Sequence, residues 1–174
     1  MKLKPHDTDC LQQTDFRLPS PVNLYGCFAV ALRRQAEEVA LRAMTVQENK
    51  DFFQRLRREN AINENIKLHN SDSHKHVLNV ALDMLGVWPR LKGEYVARMP
   101  CIEGDIQIID EKLLSKFLDN GKHGFFFIDE YNVVNAASHF LNVLMDGDVW
   151  FDPMPGLQLG ERISRRLFYI GEQI

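Results

Sequence analysis

Three cysteines are all the chain carries, and Cys10, Cys27 and Cys101 fall at irregular intervals. An odd number so spaced offers neither a disulfide framework nor a paired Cys-x-x-Cys metal site, and it suits a reducing compartment. The basic start Met1-Lys2-Leu3-Lys4 is not followed by an apolar signal core, and no apolar run approaches membrane-spanning length. The expected location is the cytoplasm, with export by a route lacking a cleaved signal left open, and no membrane partner is expected. Glycine-rich phosphate-binding patterns are missing as well: Gly121-Lys122 has neither the upstream glycine nor the following Ser or Thr. Nor is there an excess of one charge. With 21 Lys and Arg against 24 Asp and Glu the net charge is -3, which gives nucleic acid no global attraction.

What is present fits one globular domain over residues 1–174, 45% hydrophobic and 26% charged, long enough to bury a core without staples. Residues 1–20 show little periodicity and read as an extended N-terminal arm. A helix is expected over 26–44, with Val30, Ala31, Ala36, Val39, Ala40 and Ala43 on a buried stripe and Arg33, Arg34, Glu37, Glu38 and Arg42 on a wet face. Thr45-Val46-Gln47-Glu48 is a capping box that starts a second helix at Val46, running to about Arg58. Ser71 or Ser73 caps a third, which Gly86 ends. His69, His74 and His76 resemble a metal cluster at first sight. Positions 74 and 76 of a helix point to different sides, however, so surface or capping roles are expected and neither metal nor other cofactor.

After Trp88 the residues Pro89, Gly93, Pro100 and Gly104 break the chain into short extended runs, with strands expected at 95–98 and 106–109. Asp110 is expected to cap a short helix over 111–118. Residues 124–128, with three consecutive phenylalanines, read as a strand covered on both faces at the centre of a sheet. Helices first and strands later imply an α+β domain.

Two stretches carry chemistry. Cys27 follows Gly26 at the mouth of an apolar run, behind Pro19 and Pro21, which places it in the first turn of a helix. Unpaired N–H groups and the helix dipole there favour the thiolate, so Cys27 alone of the three is expected to have a lowered pKa. The plain alternative is a small apolar residue in the core. The second stretch, 138–153, reads as a hairpin. A two-residue turn at Asp146-Gly147 pairs Met145 with Asp148, Val143 with Trp150 and Leu141 with Asp152. His139 and Asp152 then share a sheet face within reach of each other, with Trp150 expected to shield their contact from water. Asp152 can fix the imidazole tautomer and leave the other ring nitrogen to take the thiol proton, so the three residues make a Cys-His-Asp set. Taken singly, His139 is an ordinary strand-entry histidine and Asp152-Pro153 a turn starter.

Tyr25-Gly26-Cys27 opening an apolar helix, followed by Ser138-His139-Phe140 and Trp150-Phe151-Asp152-Pro153, resembles the papain-like cysteine hydrolase superfamily. The similarity is to its small bacterial and phage members, such as bacteriocin-processing peptidases and cell-wall amidases. The resemblance covers these two stretches and leaves 33–137 unmatched. It implies N-terminal helices packed on a C-terminal antiparallel sheet, with Cys27 as nucleophile, His139 as general base and Asp152 as its orienter. The implied activity is thiol hydrolysis or deamidation of an amide in a peptide, a peptidoglycan peptide or a glutamine side chain. A catalytically inactive papain-like domain that binds a protein partner is the alternative. Many members place a Gln shortly before the cysteine to bind the oxyanion, where this chain has Pro21; Asn23 is the nearest amide and is expected to donate there with the Cys27 N–H.

Overall fold

The computed structural model describes residues 26–63, 71–102, 105–106, 124–134, 138–144 and 147–172. The expected arm, Asn23, Cys10 and the helix at 111–118 lie outside them. Among the described residues three helices come first. Helix α1 (Cys27–Ala40) is shorter than the periodicity suggests, because Leu41 turns left-handed at φ 58° and closes it. Helix α2 (Val46–Arg58) starts on the expected capping box: Glu48 N–H donates to Thr45 Oγ1 at 3.1 Å and Thr45 N–H to Glu48 Oε1 at 3.0 Å. Helix α3 (Ser71–Met84) is followed by Gly86, whose φ of 79° suits a residue without a Cβ.

The expected wet face of α1 is a correction. Every residue from Phe28 to Glu38 is buried, including Arg33, Arg34, Glu37 and Glu38. Opposite charges one turn apart make this tolerable: Arg33 Nε lies 3.3 Å from Glu37 Oε1 and Arg34 Nη2 lies 3.4 Å from Glu38 Oε2. Tertiary partners complete the arrangement. Arg33 Nη1 donates to Asn49 Oδ1 at 2.6 Å, and Glu37 Oε2 accepts the Met44 N–H at 2.6 Å. The helix is thus a central rod rather than a surface helix.

All the described strands pair antiparallel: β1 (Leu91–Ile102), β2 (Asp105–Ile106), β3 (Phe125–Val133), β4 (His139–Val143), β5 (Val149–Phe151) and β6 (Leu159–Glu172), in sheet order β2-β1-β6-β3-β4-β5. The fold is α+β, with α1 and α3 packed against the sheet. On the helix side Leu91, Phe126, Ile128, Phe168 and Ile170 meet Phe28, Leu32, Phe52 and Leu78 in one apolar cluster. A second cluster, Met99, Phe127, Leu141, Val143 and Leu167, covers the other face. The run 124–128 therefore sits inside the sheet with both faces covered, as its composition suggests.

Two features of the sheet depart from expectation. The strand expected at 95–98 is longer, running from Leu91 to Ile102 through Gly93, which is a packing site rather than a breaker, while of the run expected at 106–109 Ile106 lies in β2 and the rest falls outside the described residues. A Cβ at Gly93 would meet Leu78 Cδ2 at 2.4 Å, and the Asn79 side chain bonds both Gly93 N–H (2.9 Å) and Gly93 O (3.0 Å). The second is β6, which has no counterpart in the sequence reading and lies between β1 and β3.

Candidate active site

The end of β4 faces the open end of α1. Phe140 and Asn142 point toward that helix: the Phe140 ring stacks on Phe28 at 4.5 Å between centroids, and Asn142 Nδ2 donates to Ala31 O at 3.0 Å. Leu141 and Val143 point the other way, into the second cluster. His139, the first residue of β4, lies opposite Tyr131 of β3.

Cys27 opens α1, and the Phe140 main-chain N–H hydrogen-bonds its sulfur. The Cys27 sulfur therefore touches the main chain of the residue after His139. The His139 side chain, by contrast, has the parity of Leu141, opposite a Tyr131 that packs on the second cluster, and no hydrogen bond joins the imidazole to the sulfur among the described residues. The expected lowering of its pKa is not found. Burial pushes the thiol up to about 11, outweighing the N–H groups of Phe140, Phe28 and Cys27, while the Glu130 carboxylate adds to the rise. A helix N-terminus offers partial charges only, which here do not outweigh the cost of desolvating a thiolate.

The imidazole and the carboxylate do meet. His139 is only 3% exposed, and its Nε2 lies 2.7 Å from Asp152 Oδ1. The same oxygen accepts the Met154 N–H at 2.8 Å, an Asx turn that fixes the carboxylate directly after β5. Pro153, between them, is buried.

The hairpin reaches this contact by a different route from the expected turn. Its arms close at Leu144 N–H to Asp148 O (2.8 Å), with Gly147 at φ 92°, and Val143 pairs with Val149 rather than Trp150. The register then shifts at Trp150, which bulges out, and Asn142 pairs with Phe151 as expected. Asp152 thus regains the position that the simple turn assigned to it. The bulge also redirects Trp150: the Arg34 guanidinium of α1 lies 5.0 Å from its ring centre and 5.7 Å from that of Phe151. Trp150 packs on α1's cation and is not the expected shield over His139.

The histidines do not gather. His74 packs edge-on to Phe28 and Tyr95, His76 Nε2 lies 3.0 Å from Glu59 Oε1, and His69 lies outside the described residues. Among the described residues no group of three or more His, Cys, Asp or Glu is set to hold a metal ion, and no helix is long and apolar enough to cross a membrane. Residues near the site that sequence reasoning missed are Glu130, which acts electrostatically on the Cys27 thiol, and Arg166, which lies over the rings of Phe28 and Phe140. Glu130 follows Asp129 at the end of an apolar run and Arg166 follows Arg165, so each was visible only as half of a charged pair. No protein-family model matches the chain, and neither a curated protein nor a solved structure matches it.

Proposed function

We propose that the chain is a papain-like thiol hydrolase that cleaves or deamidates an amide bond, with Cys27 as nucleophile, His139 as general base and Asp152 as the group that orients the base. The supporting observation is the 2.7 Å contact of His139 Nε2 with Asp152 Oδ1, one residue from the main-chain N–H that bonds the Cys27 sulfur. With Nε2 committed to the carboxylate, Nδ1 is the nitrogen that takes the thiol proton. Since the thiol starts neutral, proton transfer accompanies attack on the amide carbon rather than preceding it. The N–H groups of Cys27 and Phe28, at the end of α1 where donors lack helical acceptors, would stabilise the oxyanion. Collapse of the tetrahedral species expels the amine, protonated by His139, and leaves a thioester. Water attacks that thioester with His139 again as base, freeing the acid and restoring the thiol.

One observation favours the other reading, a catalytically inactive papain-like domain that binds a protein partner: a thiol pushed up to about 11 is a poor resting nucleophile. Iodoacetamide labelling of Cys27 across neutral pH, combined with turnover of a fluorogenic peptide-amide library, separates the two. The hydrolase reading expects Cys27→Ala to abolish turnover and His139→Ala to slow both turnover and labelling. Asp152→Asn, which keeps an acceptor for the ring but loses the charge, should lower the rate by about 10²-fold with the fold retained, less than Cys27→Ala. Identical labelling in the wild type and His139→Ala, with no turnover of any library member, would leave the binding-module reading.

A further inference from the structure

On the helix side of the sheet, next to Cys27, two guanidiniums share one carboxylate. Glu130 Oε2 accepts from Arg166 Nη1 at 2.9 Å, from Arg98 Nη2 at 3.1 Å and from Ser164 Oγ at 2.9 Å. Two cations against one anion leave the cluster with a net positive charge. The neighbouring titratable groups do not cancel it. His74 is held neutral, its pKa pushed down to about 4 by burial and then by the charges of Arg166 and Arg98, and burial raises the pKa of the Tyr95 phenol.

The cluster adjoins the candidate nucleophile. The Arg166 guanidinium lies 5.0 Å from the ring centre of Phe28 and 4.8 Å from that of Phe140, the residues that follow Cys27 and His139 in the chain. Glu130 is close enough to act electrostatically on the Cys27 thiol. Donors remain for a ligand. Arg166 is 9% exposed and its Nε, a buried donor, has no hydrogen-bond partner, while the Arg98 side chain is 50% exposed and engages Glu130 through one of its five N–H groups. A cation with spare donors in a partly desolvated site is matched by a carboxylate.

We propose that Arg98 and Arg166 form a subsite that selects substrates carrying a carboxylate close to the amide attacked by Cys27. This rests on the thiol-hydrolase reading for its purpose, though not for its test. Such a carboxylate comes either from an acidic side chain or from a chain terminus. It would displace water from Arg98, share the guanidinium pair with Glu130, and hold the amide in register with the sulfur.

The probes are iodoacetate and iodoacetamide, which differ in one carboxylate. Each alkylates the sulfur by forming an S–C bond and expelling iodide, with the thiol proton passing to base. The ratio of their rates at Cys27, measured by peptide mapping and divided by the same ratio for free cysteine, should exceed unity by about tenfold, the size of one charge-assisted hydrogen bond at a partly exposed site. Arg98→Gln should bring the ratio back near unity, Arg98→Lys should keep part of it, and added salt should lower it. Because Arg98 is half exposed, these variants are expected to fold; Arg166→Gln is the second variant. The source of the carboxylate is read by protection of Cys27 against iodoacetamide. N-acetylisoglutamine protecting better than its isomer N-acetylglutamine indicates a side-chain carboxylate, and the reverse a terminal one. A normalised ratio of one in the wild type, or a raised ratio that Arg98→Gln leaves unchanged, overturns the subsite. Loss of the hydrolase reading shows separately: His139→Ala would then leave both alkylation rates unaltered while the ratio stays arginine-dependent.

Discussion

His74 is a histidine whose charge state is decided by packing. Its ring centre lies 4.8 Å from that of Phe28 and 5.2 Å from that of Tyr95, both edge-on, and burial is the main reason its pKa falls to about 4. The unfolded chain takes a proton there near pH 6.5, whereas the folded protein resists until about 4. The unfolded state therefore binds more protons in that window. The stability that neutral His74 supplies is complete above about 6.5 and is lost as pH falls toward 4. Allowing for partial exposure, the loss should be about 1–2 kcal/mol. The denaturant midpoint of the wild type relative to His74→Phe should fall between pH 7 and 4; parallel curves would show that His74 is not buried in this way. Cys27 illustrates the same limit on sequence reading. Its place at the start of a helix was legible because it depends on adjacent residues, whereas the burial that governs its thiol arises only when the chain folds and was not.

Among the elements, α1 separates what local pattern can reveal from what it cannot. Its start and the capping box of α2 depend on neighbours a few residues away and were legible, and so was the His139–Asp152 pairing, which needs one hairpin. The bulge at Trp150 was not: the residue it turns aside packs on Arg34 of α1, which no window of the hairpin contains. Charge on α1 misled for a related reason: an i, i+4 ion-pair pattern looks the same whether water or another helix covers it. Since Arg33 and Glu37 are both fully buried, removing one charge strands the other. Glu37→Gln, which keeps an acceptor for the Met44 N–H, should cost about 3 kcal/mol. Adding Arg33→Met should recover part of that loss despite leaving Asn49 short of a donor. Urea unfolding of the single and double variants measures it. A double variant less stable than Glu37→Gln would mean that the pair stabilises the helix beyond neutralising itself.

Across the whole molecule the two faces of the sheet are tied by neighbouring residues of the same two strands. Asp129 takes Arg165 Nε at 2.7 Å on the face where Arg165 lies over Phe127, and Glu130 takes Arg166 on the helix side. A slip of β6 by one residue would present each arginine to the wrong face, so the paired acids and bases fix the register that the apolar residues alternate around. This is also why β6 escaped notice: Arg165 is complemented by an acid 36 residues earlier, and no local window contains both.

The position of β6 bears on the order in which the sheet can be built. Every other strand leaves the ribosome before it, yet β1 and β3 have only β6 as their common neighbour. Until Glu172 has emerged, the nascent chain holds two separate hairpin-like pieces with exposed inner edges, an arrangement open to mispairing with other chains. A chain halted at Gln158 should accordingly remain protease-sensitive and bind hydrophobic dyes, while one extended through Glu172 becomes resistant in a single step. Protection already present in the shorter chain would mean that the helical layer holds its shape without the strand at the sheet's centre.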